Sequence, residues 1–188
     1  PGDTVYTFKS GKNYWQTIDD SGGIDTIVHK GKEKAIIDLN VGHWSDLGKS
    51  IQFSSGSTKW TVMIGPQTLI ENATGGKGKD KLIGNDLANV LAGGSGKDKL
   101  IGGGGSDTFV FGVKLKKGNR DKIKDFTTGE DLIRIDHKLV KALDTGTVTA
   151  EAFSDHFTYK SGKLSYEGKQ IAKLGGAPHL DHHDLFVV

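Results

Sequence analysis

The chain has 188 residues, and its 25 basic and 23 acidic side chains leave a formal charge of +2, so the total does not point to nucleic acid. Only 35% of residues are hydrophobic, 28 are glycine and none is cysteine, which excludes a disulfide framework and any thiolate metal site. No run approaches the ~20 apolar residues of a membrane span, and the first residues lack the charged-then-apolar pattern of a signal peptide, so a Sec route is not indicated.

Residues 1–64 alternate apolar and polar side chains at 4–8, 26–28, 35–39 and 61–64, with Gly, Asp and Ser between, which predicts short strands. From Gly75 to Val110 the chain repeats every nine residues. The four units are Gly-Gly-Lys-Gly-Lys-Asp-Lys-Leu-Ile (75–83), Gly-Asn-Asp-Leu-Ala-Asn-Val-Leu-Ala (84–92), Gly-Gly-Ser-Gly-Lys-Asp-Lys-Leu-Ile (93–101) and Gly-Gly-Gly-Gly-Ser-Asp-Thr-Phe-Val (102–110). Beyond them, 131–136 alternates like a strand, 138–143 predicts a short helix capped by Asp136, and a single helical turn is expected after Thr149. Strands at 157–159, 163–166 and 170–174 flank Ser161-Gly162 and Glu167-Gly168, both hairpin turn signals. The fold expected is all-β: a parallel β-roll over 65–112, entered by strands in 1–64 and capped by a small antiparallel sheet in 113–188.

In each unit six residues suit a turn and three a strand, so two units complete an 18-residue coil. Position eight (Leu82, Leu91, Leu100, Phe109) then faces inward, and position six stacks Asp80 on Asp98 and Asn89 on Asp107. Stacked carboxylates repel unless a cation sits between them, and glycine-rich turns free backbone carbonyls to face it. Calcium takes about six to eight hard oxygens in flexible geometry, which singles it out over magnesium or zinc. Several Ca2+ ions are expected, held by Gly76, Gly78 and Asp80; by Asn85, Leu87 and Asn89; by Gly93, Ser95, Gly96 and Asp98; and by Gly102, Gly104, Gly105 and Asp107. A flexible linker would not carry Leu or Phe at every eighth position.

These in-phase units resemble the RTX family of calcium-binding β-rolls, and more narrowly the C-terminal domain of serralysin-type secreted metalloproteases. Gly2-Asp3-Thr4-Val5-Tyr6 with Asp20-Ser21-Gly22-Gly23-Ile24-Asp25 is similar to a separate calcium site of that family. The resemblance assigns that site to Gly2, Thr4, Asp20, Gly22, Gly23 and Asp25, and makes Glu71 a ligand at the entry to the roll. It also places Asp125 and Asp131 among the ligands where the chain leaves the roll. It implies a bacterial, extracellular, monomeric module that folds on meeting calcium after passing a type I secretion ABC transporter. The tail Asp184-Leu185-Phe186-Val187-Val188 resembles the export signal of such substrates. As a strand-start residue, Asp184 is expected at the surface.

No Gly-x-Ser-x-Gly elbow or His-Glu-x-x-His helix occurs, so the chain is read as non-catalytic. Gly93-Gly94-Ser95-Gly96-Lys97 lacks the first glycine and final Ser/Thr of a phosphate-binding loop. His179, His182 and His183 are expected to be solvated tail residues, and Trp15, Trp44 and Trp60 to be core or cross-strand partners. Lys77, Lys79, Lys81, Lys97 and Lys99 add positive charge around the turns, and the second reading they support is binding of an anionic polysaccharide such as alginate.

Overall fold

A computed structural model describes residues 2–53, 56–58 and 60–188. The first strands are β1 (Val5–Lys9), β2 (Gln16–Ile18), β3 (Thr26–Lys30) and β4 (Ile36–Asp38). An excursion follows, made of β5 (Trp44–Ser45), the hairpin of β6 (Ile51–Phe53) and β7 (Gly56–Thr58), and β8 (Val62–Ile64). The repeat region supplies β9 (Asn72–Thr74), β10 (Lys81–Ile83), β11 (Val90–Ala92), β12 (Lys99–Ile101) and β13 (Thr108–Phe111). After it come β14 (Asp121–Ile123), β15 (Leu132–Ile135), β16 (Gly146–Thr147), α1 (Ala150–His156), β17 (Phe157–Lys160), β18 (Lys163–Tyr166), β19 (Lys169–Leu174) and β20 (Leu185–Val187).

Each nonapeptide places its last three residues in a strand, and successive strands alternate between two sheets. One sheet runs β1-β3-β9-β11-β13-β15-β20-β16 and the other β17-β18-β19-β14-β12-β10-β4. Within each, strands two units apart pair in parallel: Leu82 lies beside Leu100, and Leu91 beside Phe109. This is the 18-residue register expected from the repeat. Position eight is fully buried in all four units, and the row continues through Ile27, Ala73 and Ile133 on one sheet and Ile37 and Ile123 on the other, all at 0% exposure. A core two side chains thick therefore runs the length of the coil, with apolar burial as its main stabilisation.

Strands outside the repeat extend the same two sheets. β3 and β4 pair in parallel with β9 and β10, so coiling begins before the first nonapeptide. At the other end the expected antiparallel strands are present as β17, β18 and β19, turned at Ser161-Gly162 and Glu167-Gly168 with positive φ at all four residues. They do not form a detached lid: β19 joins β14 edge to edge, and β20 joins β15.

Three local expectations are corrected. The helix at 138–143 reduces to a 3-10 turn at His137–Leu139, because Val140 leaves helical φ/ψ and is drawn fully into the core. The turn after Thr149 becomes a seven-residue helix, capped by the Thr149 hydroxyl accepting from the Ala152 N–H at 3.1 Å. Asp184 is buried at 2% exposure; its Oδ1 accepts from Gly129 N–H at 3.0 Å and its Oδ2 from Asp181 N–H at 2.9 Å. Replacing it by alanine should therefore cost about 1–3 kcal/mol, read as a lowered urea midpoint. A change within ~0.5 kcal/mol would return Asp184 to the surface role.

Candidate metal centre

The turns between the sheets stack along the two edges of the roll. On the first edge, Asp80 Oδ1 accepts from the Ala35 N–H (2.7 Å), Asp98 Oδ1 from the Asp80 N–H (2.7 Å) and Asp121 Oδ1 from the Asp98 N–H (2.9 Å). Asp80 Oδ2 closes its own turn by accepting from the Gly76 N–H at 2.7 Å. On the second edge, Thr4 N–H donates to Asp25 Oδ1 (2.7 Å), Asp25 N–H to Glu71 Oε2 (2.7 Å), Asn89 N–H to Asp107 Oδ1 (2.9 Å) and Asp107 N–H to Asp131 Oδ1 (2.9 Å). Each position-six side chain is thus held by the backbone one coil away. Asn89 breaks the run of charge, donating its amide to the Glu71 carbonyl at 2.8 Å and to Asn85 Oδ1 at 2.9 Å.

Turn carbonyls are packed just as closely. The carbonyls of Gly76 and Gly78 lie beneath Gly94 and Gly96, and those of Asn85 and Leu87 beneath Gly103 and Gly105. Gly96 shows why the position demands glycine: its φ is +146°, and a β-carbon there would overlap the Gly78 oxygen. Ser95 N–H donates to the Gly76 carbonyl (2.9 Å) and Gly104 N–H to the Asn85 carbonyl (3.0 Å). Gly93 backs onto Asp98, a β-carbon at Gly93 standing 2.7 Å from Asp98 Oδ2. Asp125 reaches back one coil, its carboxylate accepting from Gly102 (3.0 Å) and Gly103 (3.1 Å) N–H groups.

Near the N-terminus, residues 2–4 meet the loop 20–25. Gly22 N–H donates to Asp20 Oδ1 (3.1 Å), the Thr4 hydroxyl to the Gly2 carbonyl (3.2 Å), and a β-carbon at Gly23 would stand 2.6 Å from the Gly2 oxygen. The Tyr6 hydroxyl donates to Asp20 Oδ2, which holds the Asp20 carboxyl below its usual range and pushes the tyrosine up to about 12. All six residues assigned here from the sequence come together.

These clusters are short of positive charge. Burial, aided by Asp121 and Asp80, pushes the Asp98 carboxyl up to about 7; burial, aided by Asp131 and Asp125, does the same for Asp107. Burial raises Asp121 to about 6, and Asp131 is raised by burial too. Asp98 Oδ2 and Asp25 Oδ2 are buried with no hydrogen-bond partner, a state that costs free energy unless a cation or proton is supplied.

Residues 1–177 match the family of the peptidase M10 serralysin C terminal. The chain belongs to this family. It is 37% identical to metalloprotease AprA of Pseudomonas entomophila (strain L48) over 93% of its length, 36% identical to metallopeptidase AprA of Pseudomonas marginalis over 86%, and 39% identical to serralysin of Photorhabdus luminescens over 71%. It spans 39%, 38% and 31% of those proteins, so the match is to their C-terminal domain. Serralysin C-terminal domains are calcium-binding parts of secreted bacterial proteins. No helix among the described residues is long and apolar enough to cross a membrane.

The donor set fits that ion. Clustered carboxylates, two with an unsatisfied buried oxygen, and rows of turn carbonyls are hard oxygen donors of the type calcium takes. Asp121, absent from the ligands chosen by sequence, continues the Asp80–Asp98 ladder after a step of 23 residues instead of 18. Asp121-Lys122-Ile123 repeats the type of Asp98-Lys99-Leu100 and was the available signal. Asn119 was also missed; its Oδ1 accepts from the Gly96 N–H at 3.1 Å.

The raised carboxyls set a pH dependence. Their folded pKa values lie above the 3.8 of the free side chain, so the folded chain without calcium binds more protons than the unfolded one. That stability is complete below about pH 4 and is lost as pH rises through about 6 to 7. In excess chelator the thermal midpoint should fall from about pH 5 to about pH 8, and saturating calcium should remove the fall. A chelated midpoint that rises over this interval would show these carboxyls to be ordinary.

Proposed function

We propose that this chain is a non-catalytic calcium-dependent folding and export module of a longer bacterial exoprotein, a serralysin-like protease. The observation that carries the reading is Asp98: its Oδ2 is buried without a partner inside a ladder of carboxylates whose charge the fold itself does not balance. In a calcium-poor cytosol the stacked carboxylates disfavour the roll, and the chain passes a type I secretion ABC transporter unfolded. Outside, calcium at roughly 10⁻⁴ to 10⁻³ M binds only the folded form and stabilises it by mass action. Ions would be held by Asp80, Asp98 and Asp121 with Gly76, Gly78, Gly93, Ser95 and Gly96 on the first edge. On the second edge the holders would be Glu71, Asn85, Leu87, Asn89, Gly102, Gly104, Gly105, Asp107, Asp125 and Asp131. A further site would use Gly2, Thr4, Asp20, Gly22, Gly23 and Asp25.

Circular dichroism of the whole chain tests this. The expected result is loss of the strand signal in excess chelator at neutral pH and its recovery in millimolar calcium; a chain equally folded in both removes the proposal. The export part rests on the tail, where Leu185 and Val187 are buried in β20 while Phe186 is partly accessible and Val188 is 49% exposed. Exchanging Phe186 and Val188 for charged residues should lower extracellular yield in a host with the cognate transporter while the calcium response persists. Unchanged yield would place the signal elsewhere.

A further inference from the structure

The outer face of the sheet that contains β10 and β12 carries a row of lysines that calcium binding does not use. Lys81 lies directly beside Lys99, Lys99 beside Lys122, Lys122 beside Lys173, and Lys173 beside Lys163. Neighbouring strands are about 4.8 Å apart, so five ammonium groups project from one line across five strands. Their chain neighbours Leu82, Leu100, Ile123, Leu174 and Leu164 are buried, which directs the lysines outward. Like charges in direct cross-strand register oppose sheet formation. Among the described residues, none of the five takes part in an ion pair. The crowding is visible at Lys122, whose pKa is lowered by Lys124, by burial, and by Lys173 and Lys99.

One end of the row opens into an aromatic cleft. Lys81 lines a depression of about 390 Å³ with Trp44, Trp60, Asp38 and His43. Trp60 is 49% exposed, and Trp15, 58% exposed, packs on Trp44 with ring centroids 5.2 Å apart. Trp15 and Trp60 are therefore surface residues and not core, while Trp44 is half-buried and faces Met63 across the β5–β8 pair, the cross-strand role expected. Beside them Asp38 Oδ2 and His43 Nδ1 stand 3.1 Å apart, a polar pair able to accept from and donate to hydroxyl groups.

We propose that this face binds a linear acidic polysaccharide bearing one carboxylate per sugar ring, with the carboxylates along Lys81, Lys99, Lys122, Lys173 and Lys163 and a ring stacked in the Trp44–Trp60 cleft. In an extended 1,4-linked uronate chain each ring advances by close to one strand spacing and successive carboxylates fall on alternate edges of the ribbon, so a chain lying along the row places its carboxylates on either side of it, within reach of the long lysine side chains. Sugar rings stack on indole faces through their C–H edges, and the Asp38–His43 pair supplies the hydroxyl partners. A single-stranded nucleic acid also offers anions and flat rings, but its extended phosphates are spaced more widely than the strands.

The test uses the whole chain in millimolar calcium and a short mannuronate oligomer, followed by titration calorimetry and tryptophan fluorescence. Saturable binding with a fluorescence change is expected, weakening as salt is raised. The Lys99→Gln, Lys122→Gln double variant and Trp60→Ala should each lower affinity about tenfold, and Lys9→Gln, on the other sheet, should leave it unchanged. Circular dichroism of the same solutions separates failed binding from failed calcium-dependent folding. No saturable binding by the folded chain, or unchanged affinity in both ladder and cleft variants, overturns the proposal. Equal or tighter binding of oligothymidylate with the same variant dependence also overturns it, in favour of a nucleic-acid surface.

Discussion

Replacing Asp98 by asparagine should move the calcium-free and calcium-bound chains in opposite directions. The asparagine oxygen can still accept from the Asp80 N–H, as Asp98 Oδ1 does at 2.7 Å, so the ladder survives. What disappears is a buried charge whose carboxyl is pushed up to about 7 by burial and by neighbouring Asp121 and Asp80. In chelator near pH 8 the variant should be at least as stable as the parent, and its calcium midpoint should rise by about tenfold or more, because one charged ligand is lost. Asp98→Ala should raise the midpoint too, and should also destabilise the chelated chain by about 1–3 kcal/mol by leaving the Asp80 N–H unsatisfied. Lys99→Ala, at an exposed position, should stay within about 0.5 kcal/mol. Denaturant melts at several calcium concentrations separate these outcomes; an asparagine variant with the parent's calcium response would show that the Asp98 charge has no part in binding.

The second large effect is expected from a single methyl group. Gly96→Ala forces a β-carbon into the Gly78 carbonyl and holds alanine at a φ of +146°, so both the space and the backbone conformation are wrong. Since the offending atom is backbone in the coil beneath, relief requires separating two turns that also carry Asp80 and Asp98. A loss of about 3–5 kcal/mol, or failure to fold in calcium, is expected. Gly129→Ala is the control: its φ is +77° but nothing lies within 4 Å, so only the conformational cost of about 1–2 kcal/mol remains. Equal losses at the two sites would mean that the turns are not stacked as described.

The parts of the fold legible in the sequence are those fixed by strict spacing. Leu82, Leu91, Leu100 and Phe109 recur every nine residues, and a side-chain period of two in each three-residue strand leaves only one way to bury them. The turns Ser161-Gly162 and Glu167-Gly168 were readable because their positive φ values restrict residue choice. Asp131 entered the ligand set only through the family resemblance and Asp121 not at all, because turns longer than six residues stretch the ladder steps to 23 and 24 residues, out of phase with a nine-residue repeat. Tertiary placement outside the repeat was less legible. Asp184 precedes an apolar run, as an exposed strand-start residue does, and only the approach of Gly129 buries it. The histidines beside it are largely solvated as expected, His183 with its side chain 73% exposed, but the Asp181 cap orders the turn at His182–Asp184 and brings the His182 and His183 rings to 3.9 Å between centroids. The cross-strand lysines are separated by 18, 23 and 51 residues, so no local pattern gathers them.

The most direct measurement of the central claim is a crystal structure of the whole chain grown in millimolar calcium, with anomalous data to identify the cation. A calcium ion is expected in contact with Asp98 Oδ2, the oxygen that now lacks a partner, completed by carbonyl oxygens of the adjoining glycine turns. An Asp98 carboxylate that stays in its amide ladder with no cation beside it, in crystals saturated with calcium, would contradict the account.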